Sequence, residues 1–273
     1  MTGRVNPLRV LFAILFLGIA GSLILPWLIE LQHLDRSAHF RSATLDLGLR
    51  ERVGQAGFIA ALSGFRAPVA AILWISAHGA WEKTEWGKMA ALFDSVTALQ
   101  PRVLLYWDIA AWHMAWNARA SALQDLTQPS EVLRERSAAQ YVALGRDFLE
   151  RGIKNNPDQY LLYESLGRLA GLREVDHGAA ADAYAKAASF KNAPPYLKRL
   201  AAYESSQTPG SEREAYDRLL SLYREGMQQR VPTLVTRLHE FEQKLGIPKD
   251  QWIDDSATRD PSNPLKAPKR LPP

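Results

Sequence analysis

The sequence predicts an all-α protein: an N-terminal transmembrane helix followed by a domain of stacked helical hairpins. Twenty uncharged and largely apolar residues run without interruption from Val10 to Ile29. Alanine, leucine, arginine and glutamate are abundant beyond them, while runs of valine and isoleucine are few. Those side chains lose little freedom in a helix, so the balance favours helices over strands. The stretch from Gly64 to Ala120 carries the glycine and proline punctuation of two helical hairpins, and it holds six of the eight tryptophans.

The elements follow in order. Residues 1–9 form a short tail with Arg4 and Arg9. At 1.5 Å per residue, residues 10–29 reach about 30 Å, the thickness of a bilayer hydrocarbon core. No small-x-small cleavage site follows, and Trp27 suits the interfacial belt, so the segment reads as an uncleaved signal anchor. Lysine and arginine counts on its two sides nearly tie, but so short a leading tail favours a cytoplasmic N-terminus. The remainder is then expected outside the cytoplasm, in the periplasm of a cell that has one, with the bilayer contacted through residues 10–29.

Residues 30–65 read as a juxtamembrane stalk and lead-in helix. From Gly54 the chain turns apolar again, but Arg66 and Pro68 interrupt the run. A central arginine costs roughly 2.5–3.5 kcal/mol on the insertion scale. A lead-in helix near Gln55 to Leu62 and a buried helix from Pro68 are expected in place of a second span.

Residues 66–246 carry a repeat. Phe93 stands eight residues before Pro101 and Met89 four before Phe93, with Trp86 in the turn; Trp107 follows Pro101 by six, then Ala110 and Ala111. Asn155 to Asp158 supply a turn and cap, and Tyr163, Leu166 and Gly167 repeat the phase. Ala180, Tyr184 and Ala187 fill a second helix before Pro194 and Pro195. A weaker hairpin has Tyr196, Leu200 and Tyr203, a Thr208-Pro209-Gly210 turn, a Ser211/Glu214 capping box, then Ala215 and Leu219. This pattern resembles the tetratricopeptide-repeat family, whose unit is a 34-residue hairpin with an aromatic, Leu-Gly and Ala-x3-Phe signature and a closing proline. The resemblance implies about four hairpins plus a capping helix near residues 232–245. The interval from Trp107 to Tyr163 is 56 residues, so the second hairpin must be longer than the pattern. It would hold a helix from Pro101 to about Leu123, a linker over Asp125 to Pro129, and a helix capped by Ser130. Residues 247–273, ending in five prolines among PSNPLKAPKRLPP, read as a disordered tail.

Several function classes are excluded or left without support. The net charge of +4 is spread among mixed acids and bases, which gives no phosphate-tracking groove for nucleic acid. Cysteine is absent, so there is no disulfide, thiolate metal site or cysteine nucleophile. No Gly-rich phosphate loop and no Gly-x-Ser-x-Gly elbow occurs. His78, Glu82 and His113 supply no clear third metal ligand, and Asp108 and His113, five apart, leave one face of a helix. No catalytic residue, metal or cofactor is expected.

The resemblance implies a binding groove lined by first helices, here Trp74, His78, Trp81, Tyr106, Trp112, His113, Trp116 and Asn117. Trp74, His78 and Trp81 share a helix face, as do Ile109, His113 and Trp116. Aromatic rings with polar tips build interface hot spots, and the same rings also fill hairpin interiors. Both uses stay open from the residues alone. Arg66 joins the set as a charge in an apolar setting that needs an internal acid, a lipid phosphate or a partner carboxylate. The expected function is a membrane-tethered scaffold or adaptor for another protein or peptide segment, itself membrane-associated, in an envelope, secretion or transport assembly. The alternative is an accessory subunit that positions a substrate protein for a membrane enzyme. The oligomeric state stays open.

Overall fold

Helices account for every regular element of residues 64–207, 210 and 212–254, which the computed structural model describes. The tail, the expected span at residues 10–29, the stalk and lead-in up to residue 63, and residues 255–273 lie outside the described residues. Among the described residues no helix is long and apolar enough to cross a membrane.

The first hairpin pairs α1 (Arg66–Glu82) with α2 (Trp86–Leu99). Helix α1 begins two residues ahead of Pro68, which its first turn tolerates because the amide there has no helical partner. Its inner stripe is Ala70, Leu73, Ala77 and Ala80, mostly small, so α2 comes close. Helix α2 buries residues on every side, among them Met89, Leu92, Phe93 and Val96, as a helix apolar all round must.

The second hairpin is the long one. Helix α3 (Leu104–Trp112) passes through a π-helical turn (His113–Ala118) into α4 (Arg119–Gln124). It packs on α5 (Glu131–Asn155), whose first turn is capped by Ser130 accepting from the Leu133 amide at 3.4 Å. With 25 residues, α5 makes this hairpin longer than the first. Trp107 is buried and donates its indole N–H to the Pro101 carbonyl at 2.9 Å. Gly145 of α5 faces this pairing: a Cβ there would sit 2.8 Å from the Ala115 Cβ.

Helix α6 (Tyr160–Leu169) ends in a second π-helical stretch (Ala170–Glu174) and packs on α7 (His177–Ala188). Asp158, expected to cap this hairpin, does not: α6 starts at Tyr160 without a side-chain cap. The turn is instead tied by Asn156, whose amide donates to the carbonyls of Pro101 at 2.8 Å and Gly152 at 3.0 Å. Tyr184 and Ala187 are buried against α6 and α8, as the spacing predicts. Gly167 is where the two helices meet, since a Cβ would lie 2.9 Å from the Tyr184 ring.

The fourth hairpin pairs α8 (Tyr196–Ser205) with α9 (Glu212–Arg224). Leu197 takes the fully buried position of α8, with Leu200 and Tyr203 only partly covered. Ser211 lies outside the described residues, so its capping box does too. Ala215, Tyr216, Leu219, Leu222 and Tyr223 form the inner stripe of α9 and pack on Leu234, Val235, Leu238 and Phe241 of α10 (Pro232–Lys244). The far side of α10 is polar and exposed, as expected of an end cap.

The start of the expected tail is folded. Residues 249–251 make a short 3₁₀ turn, and Trp252 stacks on His239 at 5.2 Å. Its indole donates to the Ile247 carbonyl at 2.8 Å. The Ile253 amide donates at 2.9 Å to Glu242, a fully buried carboxylate that also accepts from the Tyr216 hydroxyl. Residues 247–254 therefore do not belong to a disordered tail, because this acid and the apolar Ile247 and Ile253 need covering.

Polar ties link successive hairpins. Arg151 of α5 bridges to Asp94 of α2 at 2.9 Å, and Ser165 of α6 donates to Asp108 of α3 at 2.5 Å. Arg146 of α5 forms a two-toothed pair with Glu174, and His177 meets Glu204 at 2.7 Å.

Candidate functional site

The rings expected to line a groove come together between α1 and the α3 helix with its π-helical turn, and Phe93 of α2 joins them. Trp74 sits 4.9 Å from Tyr106 and 5.4 Å from Phe93. Phe93 in turn lies 5.9 Å from His113, which Trp112 meets edge-on at 5.1 Å and Trp81 at 5.7 Å. His78 completes the chain at 5.2 Å from Trp81. Tilted and edge-to-face arrangements at these separations suit the ring quadrupoles.

The network grades from core to surface. Phe93 is buried, Trp74, Tyr106 and His113 are half-buried, and Trp81 and Trp112 remain 37% and 41% exposed. The two readings left open by the residues thus divide by position. Trp86 and Trp107 are buried packing residues, as their repeat positions imply. Trp81 and Trp112 stay open to solvent, each in edge contact with the His113 ring.

His113 is the hub. Burial, with a smaller push from His78, lowers its pKa from 6.5 to about 4. The ring is therefore neutral at physiological pH. Its Nδ1 lies 3.0 Å from the Asn117 amide nitrogen, which donates to it and leaves the ring proton on Nε2. This pairing spans the π-helical turn, and such turns occur often at functional sites. The turn also separates Trp116 from the face predicted for it, because i→i+5 closure shifts the register. Trp116 sits outside the ring network and carries the guanidinium of Arg173 at 4.9 Å from its centroid.

Arg66 is not part of the cluster. It is exposed in the first turn of α1 and so does not sit in the apolar setting expected for it. His78 and Glu82 approach to 3.6 Å on an exposed face. No group of three or more potential metal ligands exists among the described residues. Asp108 is engaged by Ser165 and Arg168, away from His113.

Sequence reading locates Trp74, His78, Trp81, Tyr106, Trp112 and His113 but misses Phe93 as their floor. Repeat spacing assigns that residue to hairpin packing, and it serves both. Arg173 is also missed, because no local pattern marks an arginine that stacks on a tryptophan of another hairpin. The chain matches no protein-family model, and no curated protein and no solved structure is significantly similar to it.

Proposed function

We propose that the protein is a membrane-tethered scaffold or adaptor, with a tetratricopeptide-like stack of hairpins that docks another protein. The observation that carries this reading is the pair of exposed tryptophans, Trp81 and Trp112, both set against the half-buried ring of His113, which lies on the buried Phe93. Aromatic anchors whose shapes are fixed before binding lose little entropy on docking, which is what a hot spot requires. The neutral His113 fits the same use, because an uncharged ring can be covered by an apolar partner without a large desolvation cost. The apolar run at residues 10–29 supports the tether, and confinement to the membrane raises the effective concentration of a membrane-associated partner. The partner is a protein segment with apolar side chains that can lie across α1 and α3.

Substitution separates docking from packing. W81A and W112A are expected to lower co-purification of the partner at least tenfold while shifting the melting temperature by only a few degrees. W107A, by contrast, removes a buried anchor and should cost about 3–5 kcal/mol of stability. A W81A or W112A protein that unfolds as W107A does would assign these rings to the core alone. Topology has its own test: a reporter fused after residue 250 that is active only in the cytoplasm would sink the extracytoplasmic placement.

A further inference from the structure

The turn end of the second hairpin is apolar and uncovered. Helix α4 buries no residue, and the first buried residue of α5 is Ala138, two turns in. Over that stretch Leu123, Leu126, Val132 and Leu133 all lie exposed, Leu126 at 88% and Val132 at 72%. The loop that carries them is nonetheless well bonded. Thr127 donates its amide and its hydroxyl to the Asp125 carboxylate at 2.9 and 2.6 Å, and the Gln128 amide donates to the Asp125 carbonyl at 3.2 Å. Arg134 reaches back to donate to the carbonyls of Gln128 and Pro129 at 2.7 and 3.2 Å. Four large aliphatic side chains are thus held on a turn whose backbone is largely paired within itself.

We infer that this tip is a lipid contact: Leu123, Leu126, Val132 and Leu133 seat in the headgroup boundary of a bilayer leaflet. Three arguments favour lipid over a protein. Four aliphatic side chains offer a few hundred Å², well short of the ~800 Å² that each side of a stable complex buries. Leucine and valine are under-represented among interface hot spots, yet both transfer favourably into a membrane. A loop can enter a region poor in water only where its backbone groups have partners, which Asp125 and Arg134 supply here. Charge does not drive the contact, because Arg119, Arg134 and Arg136 balance Asp125, Glu131 and Glu135. The apolar run at residues 10–29 gives the setting: a domain already confined to a membrane needs only a weak further contact to fix its orientation. The inference rests on the tether in the proposed function and not on its docking face.

The chain has no cysteine, so L126C, V132C and R218C each accept a single nitroxide label without background. The full chain is reconstituted in phosphatidylcholine vesicles, and collisions of each label with oxygen, which favours lipid, are compared with collisions with a water-soluble nickel chelate. Positions 126 and 132 are expected to collide with nickel at least about fivefold less often than position 218, and more often with oxygen. High salt should leave both rates unchanged, because the contact is apolar. L126D should return a label at position 132 to the rates of position 218 without moving the melting temperature, since Leu126 is exposed. Rates at 126 and 132 equal to those at 218, in a chain that stays with the vesicles, overturn the contact and leave the tether standing. Spin–spin broadening between copies labelled at 126 assigns the tip to a second copy of the chain, and a requirement for anionic lipid assigns it to charge; either result overturns the inference. A chain that does not stay with the vesicles overturns the tether and the contact together.

Discussion

At the scale of residues, close approach and burial govern the chemistry. Gly167 has no room for a side chain: its Cβ would press on the Tyr184 ring at 2.9 Å. G167A is expected to cost about 1–3 kcal/mol by overpacking. Gly79, inside α1 with nothing within 4 Å of where a methyl group would stand, is the matched control. G79A should stabilise by about 0.5–1 kcal/mol through helix propensity. Urea midpoints of the two variants check both signs. His113 supplies a pH dependence. Its folded pKa of about 4 lies below the ordinary 6.5, so the unfolded chain binds a proton between these values that the folded chain refuses. This contribution is complete above about pH 6.5 and is lost as pH falls toward 4. Partial exposure of the ring screens it, leaving about 1–2 kcal/mol. An NMR titration of the ring should show a midpoint near 4, and H113F should flatten that part of the stability profile.

At the scale of elements, the local signals in the sequence are the readable ones. Prolines and asparagines near residues 101, 129 and 156 punctuate the hairpins because each acts on its own backbone, so the helix boundaries of α3, α4 and α5 lie close to expectation. The extra length of the second hairpin is also legible, because 56 residues separate Trp107 from Tyr163. The π-helical turns are not readable, since HMAWNA and AGLRE contain nothing that distinguishes them from ordinary helix. Residues 247–254 mislead for a related reason. Their composition is that of a tail, and only the buried Glu242 and the stacking of His239 give Trp252 and Ile253 a place. Ending the chain at Gly246 should therefore cost about 2 kcal/mol or more, since it removes a donor from a buried carboxylate and uncovers apolar area on α10. A denaturant titration of the truncated protein checks this. An unchanged midpoint would mean that the segment only lies on the surface.

At the scale of the whole molecule, each hairpin packs on its neighbours in the chain, so support for the aromatic face is short-ranged. Phe93 and α3 hold the rings, while the last two hairpins cap the stack. The candidate site is half legible in the sequence: helical spacing places Trp74, His78 and Trp81 on one face, but the fold alone distinguishes the covered Trp107 from the open Trp112. The central claim is that this open face is a docking surface and not an incomplete core. Site-specific photocrosslinking in intact membranes tests it most directly, with the reactive residue placed at position 81 or 112 and, for comparison, at Arg218 on the exposed side of α9. One recurrent protein captured from positions 81 and 112 and absent from position 218 is the predicted result. Capture of nothing from the aromatic face, or of the same proteins equally from all three positions, would contradict it.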